Sequence, residues 1–261
     1  MRKGLFYFIG WTYVVLGTPL LLIALLIRRL GRAELSASIT QKYMSCLASL
    51  LLRLAGAKVT VEGKENLPDD LPVVFISSHQ GHFDSAVILA NIKVPMSFVA
   101  TTNASKFPII SRWFDLGYTV YMERGNMRQN YEAIKQAEEV IKNGRSMVIY
   151  PEGIISNGPE IGEFKRGSFR LATNTGAAIV PLAIDGSWQI MGTENNTIQP
   201  ADIVMRILPP VPTKGLSRQE IQELHQQVFE LIKANLAEIQ ADGQRFRSFS
   251  SNHNQRHTIS S

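Results

Sequence analysis

The chain holds one cysteine, Cys46, in 261 residues, so no intramolecular disulfide can form and nothing in its covalent chemistry requires an oxidising compartment. Charge is also scarce. Charged residues make up 19% of the chain against 45% hydrophobic ones, which excludes disorder of the whole chain and allows one sizeable α/β domain plus an accessory segment. No Gly-x-Ser-x-Gly nucleophile elbow occurs, so no serine is set up for a covalent acyl-enzyme. No internal repeat is present either. Between Lys3 and Arg28 lie twenty-four residues without a formal charge. That stretch is too long for a signal-peptide core, arginines follow it at once, and no small-residue cleavage site accompanies it, so it is expected to be retained.

What charge there is sits unevenly. Residues 1–53 carry Arg2, Lys3, Arg28, Arg29, Arg32, Lys42 and Arg53 against Glu34 alone, and Arg245, Arg247 and Arg256 follow Asp242 near the end. The body between them is net negative, which argues against a nucleic-acid surface. Basic residues beside an apolar N-terminus suit anionic lipid headgroups instead. The run of 4–27 is long enough to cross a bilayer as a helix, but Gly17, Thr18 and Pro19 interrupt it. Two readings stay open: a bent segment dipping into one leaflet, or a straight span. Next, residues 37–54 place Met44, Leu47, Leu51 and Leu54 at helical spacing, which predicts a second helix on the membrane or on the first. Residues 1–55 are therefore expected to form a membrane-anchoring helical segment.

From Lys58 onward, short β-branched runs alternate with amphipathic stretches, the pattern of an α/β fold whose mostly parallel sheet is covered by helices. Strands are expected over residues 58–62, 72–77, 97–100, 119–122, 146–150, 178–184 and 202–208. A helix over about 127–142 aligns Met127, Tyr131, Ile134 and Ile141 and ends at Asn143 and Gly144. Another starts at Ser217, where Glu220 completes a capping box. The domain is expected to span 56–241. Residues 242–261, rich in Ser, Asn, Gln and Arg, have nothing to bury and are expected to be a disordered tail.

The informative polar cluster runs from Ser77 to Ser85, directly after an apolar strand, where open α/β sheets place their ligands. Within it, His79 and Asp84 stand five positions apart. On one continuous helix they would point roughly 140° away from each other. A turn at Gly81 lets them meet, with His79 in the loop and Asp84 on the first turn of the next helix. There the carboxylate can fix one imidazole tautomer and leave the other nitrogen free as a base. Read as metal ligands, His79, His82 and Asp84 lack a distant fourth group, so no metal is expected.

A histidine, four residues and an aspartate resemble the signature of glycerolipid acyltransferases of the 1-acylglycerol-3-phosphate acyltransferase type. Further blocks follow in that family's order. Gly117 to Arg124 resembles its second block, and the resemblance assigns Arg124 to the acceptor's phosphate, which a planar guanidinium suits. Tyr150-Pro151-Glu152-Gly153 resembles its aromatic-Pro-Glu-Gly-Thr-Arg-Ser motif, where Glu152 would hold the acceptor or organise the site and Gly153 would allow close approach. Ile154 and Ile155 stand where that motif has threonine and arginine. Phe164-Lys165-Arg166-Gly167 matches its Phe-Lys-x-Gly element, making Lys165 a phosphate-site choice and Arg166 or Arg170 a replacement for the missing arginine. Ile179 to Ile184 resembles its Val-Pro strand.

The resemblance covers roughly residues 57–185. It implies an O-acyltransferase, without cofactor or metal, that moves a fatty acyl group from acyl-CoA or acyl-carrier protein to the sn-2 hydroxyl of 1-acylglycerol 3-phosphate at the cytoplasmic face of the membrane. His79 would be the base, Asp84 would stabilise the imidazolium, and loop amides near Gly153 are candidates for the oxyanion. Alternatives are another acceptor (a different lysolipid, a lyso-aminolipid or glycerol 3-phosphate) or a non-catalytic membrane-binding homologue.

Overall fold

The computed structural model describes residues 2–123, 125–191 and 197–257, with side chains described for 3–243. Seven strands form one sheet: β1 (Lys58–Glu62), β2 (Val74–Ser77), β3 (Met96–Thr101), β4 (Val120–Met122), β5 (Ser146–Ile149), β6 (Ile179–Asp185) and β7 (Asp202–Ile207). Their order is β1-β7-β6-β2-β5-β3-β4, and every pairing is parallel except β6 with β7. The expected α/β architecture is thus present, with the strands where β-branched runs were read. β2 and β5 are buried along their whole length, as strands covered on both faces must be.

The alternation of side chains across each strand sends Val74 and Ile76 to one face and Phe75 to the other. On the first face lie α6 (Met127–Lys142), α7 (Arg170–Thr175) and α8 (Arg218–His257). On the second lie α3 (Ala33–Ala55) and α4 (Asp84–Asn91), with Leu52, Ala55, Val87 and Ile88 fully buried or nearly so. The capping box that starts α8 is made in both directions. Glu220 accepts from the Ser217 N–H at 2.7 Å, and Ser217 Oγ accepts from the Glu220 N–H at 3.3 Å.

Three details differ from the periodicity. The buried stripe of α6 is Ala133, Ala137, Val140 and Ile141, whereas Met127 and Tyr131 are 87% and 53% exposed. Two alanines on that stripe put small side chains against the core. A helix missed in the sequence, α5 (Pro108–Leu116), turns Ile109, Trp113 and Leu116 onto the N-terminal helices. Finally, α8 continues to His257, past the boundary at 241. Among its described side chains, which end at 243, the last buried apolar one is Ile239.

The N-terminal apolar run forms two helices, α1 (Arg2–Leu16) and α2 (Thr18–Arg29), bent by 40° at Gly17. The bend has a packing cause: a Cβ at Gly17 would overlap the Tyr43 ring, whose hydroxyl donates to the Tyr13 carbonyl at 2.8 Å. Among the described residues no single helix is long and apolar enough to cross a membrane; this bent pair passes by length and composition only. Buried Arg145, just before β5, reaches back to Glu34 at 3.5 Å and Gln41 at 3.1 Å on α3.

Candidate active site

Three neighbouring parallel strands, β6, β2 and β5, end on the same edge of the sheet. Each delivers a polar segment there: Gly186-Ser187 after β6, Ser78-His79 after β2, and Tyr150-Pro151-Glu152 after β5. Residues more than seventy positions apart therefore converge where α/β sheets place chemistry.

His79 lies in the loop and Asp84 opens α4, which together close the turn through Gly81. His79 Nδ1 and Asp84 Oδ2 are 2.8 Å apart. The Asp84 side chain is fully buried, while that of His79 is 19% exposed. Asp84 Oδ2 also accepts from the Gly81 N–H at 3.0 Å, and Oδ1 accepts from the Ser187 hydroxyl. The helix N-terminus adds its positive end to these donors. A carboxylate beside Nδ1 holds the proton on that nitrogen, so Nε2 presents its lone pair, and it has no hydrogen-bond partner among the described residues. The pair thus has the geometry of an imidazole oriented by a buried carboxylate.

Two residues hold the imidazole from other directions. The Tyr150 ring stacks on it, with centroids 4.0 Å apart and planes 14° from parallel, and its hydroxyl pairs with Ser85 Oγ at 2.8 Å. Burial, then the charge of Asp84, pushes the Tyr150 phenol well above its usual value, so it stays protonated. Glu152 is buried and spends both oxygens on backbone: Oε1 accepts from the His79 N–H and Oε2 from the Gly162 N–H, each at 2.8 Å.

Residues 58–185 match the profile of the acyltransferase family. A curated relative, the chloroplastic 1-acyl-sn-glycerol-3-phosphate acyltransferase LPAT1 of Arabidopsis thaliana, is 34% identical over 142 residues, 54% of this chain and 40% of the plant protein. A 1-acyl-sn-glycerol-3-phosphate acyltransferase of Saccharomyces cerevisiae is 28% identical over 80% of this chain and 69% of its own. The crystal structure of the 1-acyl-sn-glycerophosphate (LPA) acyltransferase PlsC from Thermotoga maritima superposes with a TM-score of 0.78, 27% identity, and coverage of 92% of this chain and 98% of that one. By this match residues 58–185 are an acyltransferase domain, similar to those of proteins named 1-acyl-sn-glycerol-3-phosphate acyltransferase. The chain spans less than half the length of that plant relative.

The remaining family positions are distributed unequally around His79 and Asp84. Gly153 has φ +70°, and a Cβ there would stand 2.9 Å from Lys165 Nζ, so the ammonium lies over the loop that follows β5. The Lys165 N–H donates to the Pro151 carbonyl at 3.1 Å, which anchors its backbone to the same loop. Arg166 turns elsewhere, its Nε donating to His225 Nε2 on α8 at 3.3 Å. Arg124 lies outside the described residues. The Gly153 amide donates to the Tyr150 carbonyl at 3.1 Å, which removes that N–H from the oxyanion candidates. Ile154 is 52% exposed, so the position where the family has threonine presents an apolar surface. His82 is exposed, and among the described residues no three His, Cys, Asp or Glu side chains converge as a metal site. Ser187 and the stacking role of Tyr150 were missed in the sequence. The available signal was a small polar pair, Gly186-Ser187, directly after a buried strand.

Proposed function

We propose that this protein transfers a fatty acyl group from the thioester of acyl-CoA or acyl-carrier protein to the sn-2 hydroxyl of 1-acylglycerol 3-phosphate, yielding phosphatidic acid. The observation that carries the reading is the 2.8 Å contact of His79 Nδ1 with buried Asp84, with Nε2 making no hydrogen bond among the described residues. In the reaction Nε2 takes the hydroxyl proton as that oxygen attacks the thioester carbonyl, and Asp84 offsets the charge of the imidazolium. Collapse of the tetrahedral intermediate breaks the carbon–sulfur bond, and the thiolate leaves with the proton held by His79. No acyl-enzyme is needed. Lys165 supplies a cation for the acceptor's phosphate, and Arg124 a second.

Both substrates carry acyl chains, and α1 and α2 expose Phe8, Trp11, Leu16, Leu22 and Leu26 beside Arg28 and Arg29. We read this face as seated in one leaflet at the cytoplasmic side. A second acceptor reading has its own observation: with Ile154 and Ile155 in place of threonine and arginine, a lysolipid with a less charged headgroup fits the loop. Purified protein given oleoyl-CoA should release thiol only when 1-acylglycerol 3-phosphate is added, and His79→Ala should lower the rate roughly 100- to 10,000-fold. Full turnover in that variant would remove His79 as the base. Thiol release with a lyso-aminolipid but not with 1-acylglycerol 3-phosphate would establish the second reading, and no release with any acceptor would leave a non-catalytic homologue.

A further inference from the structure

Asp84 must present one oxygen squarely to His79, yet a carboxylate can rotate about its Cβ–Cγ bond. Oδ2 is held by His79 and by the Gly81 amide, whereas Oδ1 has a single donor among the described residues, the hydroxyl of Ser187. Solvent cannot substitute, because the Asp84 side chain is fully buried and Ser187 is 1% exposed. A buried carboxylate oxygen without a donor is costly and would reorient or neutralise the group.

The segment that brings Ser187 to this place is built for it. Gly186 has φ +91°, and a Cβ there would collide with the carbonyl of Asp202, so only glycine makes the turn out of β6. One residue on, the Trp188 backbone packs so closely on Gly81 that an added Cβ would meet its Cα at 2.8 Å and its N at 2.9 Å. Residues 186–188 therefore grip the dyad loop twice, through backbone contact at Gly81 and through the hydroxyl at Asp84. The hydroxyl proton of Ser187 points to Asp84 and its side chain is enclosed, so it is placed neither to attack a thioester nor to touch substrate.

We propose that Ser187 is a positioning residue for acyl transfer, fixing the Asp84 carboxylate so that His79 keeps its proton on Nδ1 and its lone pair on Nε2. The inference rests on the reading of His79 and Asp84 as the reacting dyad. Steady-state kinetics of Ser187→Ala and Ser187→Thr in detergent micelles, beside His79→Ala, test it. Ser187→Ala lowers kcat roughly 10- to 100-fold, as a misplaced catalytic group does, while KM for both substrates stays within about twofold. Ser187→Thr, which keeps the hydroxyl, recovers most of the loss.

Because the threonine methyl enters a buried space, a second measurement carries equal weight. In an Asp84→Ala background, followed with radiolabelled acyl donor, Ser187→Ala changes the residual rate by less than about twofold, since no carboxylate remains to orient. Unchanged kcat in Ser187→Ala overturns the inference. So does an equal fractional loss with and without Asp84. Turnover surviving in His79→Ala would instead overturn the dyad itself, whatever Ser187 does.

Discussion

Glu152→Gln separates two accounts of the family's Pro-Glu-Gly motif. Each Glu152 oxygen accepts one backbone N–H at 2.8 Å, from His79 in the loop after β2 and from Gly162 in the segment before Lys165. Glutamine keeps the shape but offers one oxygen and one NH2, so one of the two backbone donors must face another donor. Hydrogen bonds to charged groups contribute about 1.5–3 kcal/mol, and an orphaned buried donor costs a similar amount. A stability loss of about 2–3 kcal/mol follows, which lowers the melting temperature of a chain of this size by about 5–10 °C. Because the strained donor is either the His79 amide or its partner loop, kcat falls with it, while KM for the acceptor changes little.

The same residue has a pH signature. Burial, opposed by the two backbone donors, raises the Glu152 carboxyl above its ordinary value of 4.5. The native state then holds that proton more tightly than the unfolded chain does. Its contribution to stability is full below pH 4.5 and is lost as pH rises through the raised value. Glutamine cannot titrate, so the stability gap between wild type and variant narrows as pH rises through that window. Differential scanning fluorimetry across pH, paired with steady-state kinetics, measures both effects. An unchanged melting temperature with a KM raised about tenfold would refute the bridging account and return Glu152 to the acceptor.

Gly81→Ala drives a methyl against the Trp188 backbone at 2.8–2.9 Å, where nothing can swing aside; it should cost about 1–3 kcal/mol of stability and most of the activity, measured by melting and thiol release. Tyr150→Phe keeps the ring stacked on His79 and loses only the Ser85 contact, so its kcat should stay within roughly threefold, whereas Tyr150→Ala frees the imidazole and should lose roughly tenfold or more. Lys165→Met should raise KM for 1-acylglycerol 3-phosphate roughly 10- to 100-fold, the equivalent of one charge-assisted hydrogen bond, and leave turnover of an acceptor without phosphate unchanged. Phe8→Ser with Trp11→Ser should weaken sedimentation with anionic vesicles by roughly tenfold or more, since each aromatic contributes on the order of 1–2 kcal/mol when its exposed part enters lipid.

Much of this architecture could be read from the chain alone, and the reasons are local. Strands such as Val74–Ser77 and Ser146–Ile149 are short and mostly apolar, each with one terminal serine, which identifies buried parallel strands without knowing their neighbours. Gly81 between His79 and Asp84, and Ser217 three places before Glu220, specify a turn and a cap from spacing and side-chain chemistry. The face of α6 was less legible. Helical spacing aligned Met127, Tyr131, Ile134 and Ile141; of these Ile141 is buried, beside Ala133, Ala137 and Val140.

Everything that surrounds the dyad was decided by strand order. Ser187 reaches Asp84 across 103 positions, and Glu152 reaches the His79 amide across 73, because β6 and β5 flank β2 and end on its edge. No periodicity encodes that adjacency; it follows from which strands pair once helices cover both faces. The chain by itself determined the fold class, the helix that Asp84 opens and the turn that lets His79 and Asp84 meet. Only the tertiary structure turned Glu152 into a bridge, Tyr150 into a platform and Arg166 away from the loop, since each outcome depends on a donor or ring contributed by a distant segment.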